Sequence, residues 1–170
     1  MQEHKLVIMR HAKSDWSEEN RSDFDRPLTS RGIKAAKSMG KWLTAHQFHM
    51  DRVVCSPALR AKQTCQLVLK ELGVSPNNIL WEAGIYEASL NDLLSLIRQY
   101  RQDTHTLFII GHNPSLDQLL CYLSKDSPPV NSLGKLLTTG AVAVLNYDTE
   151  AITTKPAQAR LQHLIRPKEL

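Results

Sequence analysis

The sequence alternates between short apolar stretches typical of buried strands and longer amphipathic stretches typical of helices. Strands are predicted at 5–9, 52–56, 78–82, 105–111, 140–148 and 159–166. Helical spacing of apolar residues predicts helices at 29–47, 57–72, near 89–101 and from 113 onward. Strands and helices in this order are typical of a mainly parallel sheet covered by helices on both faces. We therefore expect a three-layer α/β domain, with 159–166 as an exposed edge strand.

Length and composition narrow the class of protein further. A chain of 170 residues is the size of one domain, so we expect a single domain over 1–170. The net charge is +4, but the basic residues are scattered and only 6% of residues are aromatic. This pattern argues against a nucleic-acid-binding protein. A mild positive charge still suits an anionic substrate.

The cysteines and the N-terminal segment bear on the expected compartment. Cys55, Cys65 and Cys121 are odd in number and lack the C-x-x-C spacing, so we expect reduced thiols rather than a disulfide framework or a zinc site. The first residues lack the apolar core of a signal peptide, and no run reaches the length of a membrane span. We expect a cytoplasmic protein without a membrane partner.

Three predicted strands end in residues suited to bind an anion. The strand at 5–9 is followed by Arg10 and His11, the strand at 52–56 by a helix carrying Arg60, and the strand at 105–111 by His112. Ser-Pro and Asn-Pro at 56–57 and 113–114 are typical helix starts. The carboxyl ends of parallel strands form one ligand crevice. We therefore expect these four side chains to converge on one pocket.

Two arginines and two histidines in one pocket suit a tetrahedral oxyanion. Each guanidinium can donate paired hydrogen bonds to phosphate oxygens. A neutral imidazole is a nucleophile near pH 7, so attack by His11 on phosphorus would give a phosphohistidine that water then hydrolyses. Taken singly, each residue is more often structural or solvated. Their recurrence at three comparable strand ends favours a site.

The stretches MRHAKSDW, RPLTSRG, SPALRAKQT and GHNP together resemble the histidine phosphatase superfamily, specifically its SixA-like phosphohistidine phosphatase branch. The resemblance runs from residue 5 to about 120. It implies a three-layer α/β/α sandwich around a mainly parallel sheet with an antiparallel edge, as in phosphoglycerate mutases. It also implies that His11 is phosphorylated, that Arg10 and Arg60 hold phosphate, and that His112 stabilises the transition state. No metal and no cofactor are implied.

Other candidate residues follow from the same resemblance. Ser14 stands where a hydroxyl residue often touches phosphate, and Asn113 is a further candidate for phosphate binding. Ala12 replaces the glycine that usually follows the nucleophile, which is similar to the SixA-like branch. Glu87 lies roughly where many members carry the general acid, although an exposed structural glutamate is an equal alternative. The stretch DRPLTSRG is interpreted as structural, with Thr29 as a helix cap and Arg26 paired to an acidic neighbour.

Several functions stay open at this point. The leading hypothesis is a metal-independent phosphatase that acts on protein phosphohistidine, since about 50 residues between Arg60 and His112 leave no room for a covering lid. The alternatives are a phosphatase for a small ester, such as a sugar phosphate or a nucleotide, and a catalytically idle phosphate-binding module. A mutase would need an enclosed site. The oligomeric state is not predicted.

Overall fold

The structure is a computed structural model that describes residues 3–170. Within that range the chain forms six strands and four α-helices, in an order close to the predicted one. Their bounds are β1 His4–Arg10, α1 Ser30–Ala45, β2 Arg52–Cys55, α2 Leu59–Leu72, β3 Ile79–Trp81, α3 Leu90–Tyr100, β4 Thr106–Gly111, α4 Ser115–Leu123, β5 Val142–Tyr147 and β6 Arg160–Ile165.

The strands form one mixed sheet with the order β3-β2-β4-β1-β5-β6. The pairs β3–β2, β2–β4 and β4–β1 are parallel, whereas β5 is antiparallel to both β1 and β6. The predicted α/β architecture, with a mainly parallel sheet and an antiparallel edge, is therefore confirmed. The stretch 159–166 is also confirmed as an edge strand, since β6 is the last strand on that side.

The helices cover both faces of the sheet because the central strands are apolar on both sides. In β1, Leu6 and Ile8 pack in a core cluster with α3 and α4. Val7 and Met9 point to the other face, where they pack with α1 and α2. Successive side chains of a strand point to opposite faces, so one apolar run serves both cores.

Local capping residues fix the ends of the two helices on the second face. The Thr29 hydroxyl accepts from the Gly32 N–H at 3.0 Å, which confirms it as the cap of α1. Gly73 ends α2 with a φ of 70°, a left-handed conformation that glycine adopts without steric cost. Helix α2 begins at Leu59 rather than at Pro57, since the Ser56 hydroxyl instead accepts from the Ala58 N–H at 3.2 Å.

The register of the parallel strands brings their carboxyl ends side by side. Arg10 of β1 is level with Gly111 of β4, and Cys55 of β2 is level with Ile110. The chain therefore leaves three adjacent strands at one edge, which is where the predicted site residues follow. Among residues 3–170, every helix is too short or too polar to cross a membrane.

Candidate active site

His11 lies directly after β1 with its ring held in one orientation. The His11 N–H donates to Gly111 O at 3.0 Å, and the Nδ1 atom is 2.8 Å from Ala12 O. A carbonyl oxygen only accepts hydrogen bonds, so Nδ1 carries the proton and Nε2 keeps its lone pair. Burial, together with the positive charges of Arg60 and Arg10, lowers the pKa of His11 from its usual value to about 3, although the hydrogen bond to Ala12 O opposes the shift. The ring is therefore neutral near pH 7 with Nε2 free to act as a nucleophile.

His112 stands beside His11, with 5.2 Å between the ring centroids. Its Nε2 atom is 2.7 Å from the Ser56 hydroxyl, which comes directly after β2. Burial and the charge on Arg60 together lower the pKa of His112 to about 4. The two imidazoles at the centre of the site are therefore both neutral. Ala12 O holds the ring of His11, and Ser56 holds the ring of His112.

The Arg10 guanidinium is anchored by a backbone carbonyl from a distant loop. Its Nη1 atom donates to Leu137 O at 3.0 Å. Burial lowers the pKa of Arg10, an effect that the carboxylate of Asp117 opposes. Asp117 in turn accepts from the Leu137 N–H at 3.1 Å. The loop around residue 137 therefore contacts Arg10 directly and holds its orientation.

Arg60 is held by Asp23, a residue of the loop between β1 and α1. Arg60 donates through Nη1 to Asp23 O at 2.7 Å and through Nη2 to the carboxylate at 3.1 Å. Tyr86 Oη donates to the same carboxylate at 2.6 Å, and Arg26 forms an ion pair with it at 3.1 Å. The Tyr86 hydrogen bond and the Arg60 charge lower the pKa of Asp23 to about 2. Asp23 is therefore an ionised positioning group for Arg60.

Three nitrogen atoms around His11 are buried without a hydrogen-bond partner within residues 3–170. They are Arg10 Nε, Arg60 Nε and His112 Nδ1. Buried polar groups are normally paired because an unpaired donor costs about 1–3 kcal/mol. Three such atoms, one from each of the three strand ends, are the arrangement expected of a site that binds an oxyanion.

Two contacts fix the position of the loop after His11. The Ala12 N–H donates to Thr64 Oγ1 at 3.0 Å, and that hydroxyl donates to Arg60 O at 2.7 Å. On the other side, a Cβ at Gly32 would lie 2.2 Å from Lys13 O, so only glycine allows α1 to pack this closely. These contacts explain the threonine of SPALRAKQT and the glycine of RPLTSRG in physical terms.

The structure gives less direct support to the roles of the remaining predicted site residues. The Ser14 hydroxyl accepts from Arg26 Nη1 at 2.6 Å, and Asn113 contacts Leu137 O at 3.0 Å and the Asp117 N–H at 3.1 Å. Both side chains are thus engaged by protein groups, and their contact with phosphate stays a prediction. Glu87 is exposed, with a φ of 58°, and within residues 3–170 its side chain makes no hydrogen bond. Its role as an acid also stays a prediction. The predicted pairing of Arg26 with an acidic neighbour is confirmed by its contact with Asp23.

Sequence comparison identifies the family. The model of the histidine phosphatase superfamily (branch 1) matches residues 6–94. The chain belongs to this superfamily. An uncharacterized protein of Mycobacterium tuberculosis is 31% identical over 157 residues, covering 90% of this chain and 96% of that protein. A 2,3-bisphosphoglycerate-dependent phosphoglycerate mutase of Methylobacterium radiotolerans is 36% identical over 96 residues, but the match spans only 45% of that enzyme.

Solved structures place this histidine phosphatase beside the SixA proteins. A protein from Nakamurella multipartitia, assigned as a phosphohistidine phosphatase SixA, superposes with a TM-score of 0.79 at 29% identity and 98% coverage of both chains. The protein histidine phosphatase SixA in complex with tungstate has the same TM-score at 23% identity, covering 97% of this chain and 98% of that chain. The resemblance predicted from the motifs is confirmed, and the protein is a phosphatase.

Sequence reasoning missed three contributors to the site of this phosphatase. Asp23 is not singled out by the sequence, which predicts only an unspecified acidic neighbour for Arg26, yet it holds both Arg26 and Arg60. Thr64 and Leu137 act through a buried hydroxyl and a backbone carbonyl, which give no signal in composition or spacing. Within residues 3–170, no group of three or more histidine, cysteine or acidic side chains is arranged to hold a metal ion.

The lowered pKa of His11 predicts acid-sensitive folding of the phosphatase. In the folded state the pKa is about 3, whereas an unfolded histidine titrates near 6.5, so between these values the unfolded chain binds the extra proton. Stability therefore falls as the pH drops. From pH 6.5 to 4.5 the contribution of His11 to this loss is about 2 kcal/mol.

Urea denaturation at about pH 6.5 and about pH 4.5 measures this loss of folding stability. We expect His11→Asn to reduce the acid-induced loss of stability by that amount. The control His49→Asn, at an exposed histidine, should leave the loss unchanged. Equal losses in wild type and His11→Asn would contradict the buried neutral state of His11.

Proposed function

We propose that this phosphatase hydrolyses phosphohistidine on proteins, without a metal, through a covalent intermediate on His11. The observation that carries the proposal is a neutral histidine with a free Nε2, set among nitrogens of Arg10, Arg60 and His112 that have no hydrogen-bond partner among residues 3–170. A nucleophile next to two guanidinium groups suits phosphoryl transfer, in which charge spreads over the equatorial oxygens.

In the first step, Nε2 of His11 attacks phosphorus and forms a P–N bond. The bond between phosphorus and the leaving group breaks, its electron pair stays with the leaving group, and the leaving group takes up a proton from solvent. In the second step, water attacks phosphorus and forms a P–O bond, the P–Nε2 bond breaks, its electron pair returns to His11, and a proton of the water is released to solvent. The products are inorganic phosphate and the dephosphorylated substrate, and His11 is regenerated.

The acidic groups described near the site favour an easily displaced leaving group. Asp23 is ionised, with its pKa lowered to about 2, and within the described chain Glu87 makes no hydrogen bond that would orient it. An alkoxide leaving group needs a proton delivered to its oxygen. The imidazole of phosphohistidine, with a pKa near 6.5, leaves far more readily. This chemical difference supports phosphohistidine over a sugar phosphate.

The surroundings of the site support a protein substrate. Trp16 is 75% exposed and packs on the Arg26 guanidinium at 3.4 Å, in the same loop as Asp23. Phe24 is 38% exposed and lies edge-on to Tyr86, whose ring in turn contacts His112. Exposed aromatic side chains grouped beside a site are typical of protein contact surfaces. A protein substrate could cover these aromatic side chains, whereas a small phosphate ester would leave them exposed to water.

The test compares kcat/KM for a histidine-phosphorylated protein with values for p-nitrophenyl phosphate, a sugar phosphate and a nucleoside monophosphate. We expect the phosphoprotein to be preferred over the sugar phosphate and the nucleoside monophosphate by at least about a hundredfold, because their alcohols leave poorly without an acid. p-Nitrophenol leaves readily without an acid, so p-nitrophenyl phosphate serves as the control for the phosphoryl-transfer chemistry itself. A preference for one small ester would keep the phosphatase chemistry but contradict the protein substrate. The absence of any turnover would support an idle phosphate-binding module.

A further inference from the structure

One side of the site opens into a groove that is lined by positive side chains. The groove has a volume of about 350 Å³ and begins at Arg10. The other cationic side chains that line it are Lys13, Arg31, Lys135 and Lys168. They come from four separate segments: the loop after β1, the first turn of α1, the loop between α4 and β5, and the C-terminal turn.

Among residues 3–170, no aspartate or glutamate lines the groove, and Asp117 acts on Arg10 from outside the lining. Within residues 3–170, none of its five cationic side chains forms an ion pair with a carboxylate. Grouped like charges repel each other and create a strong local potential. Such a surface is suited to bind an anionic group of a ligand that also occupies the neighbouring phosphate site.

The charges of the loop that carries Asp23 are of both signs, unlike those of the groove. The loop between β1 and α1 carries five acidic residues, which are Asp15, Glu18, Glu19, Asp23 and Asp25. Four of the five are exposed and the fifth, Asp15, is partly exposed. The same loop carries Lys13, Arg21 and Arg26, and ion pairs engage Glu18 and Asp23. The groove, whose lining contains only cationic charges, is therefore the surface expected to attract an acidic segment of a substrate.

We propose that the groove binds an acidic segment next to the phosphorylated histidine of the protein substrate. The proposal rests on the proposed function and names the surface that selects among phosphoproteins. Four of its cationic side chains are exposed, and lysine is a hydrated, flexible point charge. Such charges suit several spread carboxylates better than one tightly held second phosphate. Leu133, 77% exposed in the groove lining, adds an apolar contact suited to a polypeptide.

The test uses two synthetic peptides that each carry one phosphohistidine, flanked on one side by four glutamates or by four glutamines. We expect wild type to prefer the acidic peptide in kcat/KM by about tenfold at low salt. Raising the salt to about 0.5 M should shrink the preference, since exposed charges are screened. The variant Lys135→Glu with Lys168→Glu should abolish or invert it.

Two controls isolate the groove. Lys41→Glu with Lys155→Glu makes the same change in net charge at exposed lysines outside the groove lining, and it should keep the preference. All variants should turn over p-nitrophenyl phosphate within about twofold of wild type, because no flanking segment is present to reach the groove.

The outcomes separate the groove from the proposed function. Equal turnover of both peptides by wild type, or a preference that survives in the groove variant, would overturn the groove proposal while leaving the function intact. Turnover of p-nitrophenyl phosphate with neither peptide accepted would overturn the proposed function. Strong inhibition by pyrophosphate that the groove variant loses, with equal turnover of both peptides, would replace the acidic segment with a small dianion.

Discussion

Replacement of His11 by alanine is expected to lower kcat by at least about a thousandfold, because the variant loses the atom proposed to take the phosphoryl group. The structure supports this assignment through the tautomer of His11, since its contact with Ala12 O leaves Nε2 unprotonated. Rapid quenching with a ³²P-labelled substrate should trap label on the wild-type chain. The label should be stable in base and lost in acid, as expected of a phosphoramidate.

His112→Ala is the matched control for this experiment, since both imidazoles are buried and only 5.2 Å separates their ring centroids. We expect it to slow turnover while label still accumulates on His11. Label that persists in His11→Ala and disappears in His112→Ala would assign the nucleophile to the other histidine. Full activity of His11→Ala would exclude a covalent intermediate on His11.

Most of the fold could be predicted because the strands are short apolar runs bounded by clear signals. Alternation along β1 places Leu6 and Ile8 on one face and Val7 and Met9 on the other, so a strand buried on both sides reads as one continuous apolar run. The predicted positions of the helix starts were less accurate. The Ser56-Pro57 pair predicts a start at residue 57, but the Ser56 side chain contacts His112 and the helix begins at Leu59.

The centre of the site could be predicted because its residues follow adjacent strand ends, where the register of a parallel sheet brings them together. The residues that hold these side chains in position could not be predicted. Asp23 lies 37 residues from Arg60 in the sequence, in a loop whose path no periodicity specifies. Leu137 acts through its backbone carbonyl, so its side chain carries no information about the contact with Arg10. Such contacts depend on the tertiary path of loops rather than on residue type.

Arg60→Ala is expected to lower kcat/KM by about a hundredfold to a thousandfold, or about 2–4 kcal/mol, the usual cost of removing one donor that stabilises transition-state charge. Arg60 is buried, and its Nε atom has no hydrogen-bond partner within residues 3–170. Its two amino groups are held by Asp23, so the orientation of the guanidinium is set before substrate binds. Arg60→Lys should recover little, because an ammonium cannot satisfy both Asp23 and a phosphate oxygen.

Arg26→Ala separates loss of the phosphate contact from damage to the loop that carries Asp23. Arg26 is equally buried and pairs with the same carboxylate, yet its other hydrogen bond goes to Ser14. Removing it weakens the support of Asp23 and leaves the guanidinium of Arg60 in the site. Steady-state kinetics with p-nitrophenyl phosphate should therefore show a loss of no more than about tenfold, against the much larger loss for Arg60→Ala. Equal losses in the two variants would mean that Arg60 serves the fold of the loop between β1 and α1, and that phosphate is bound by Arg10 without it.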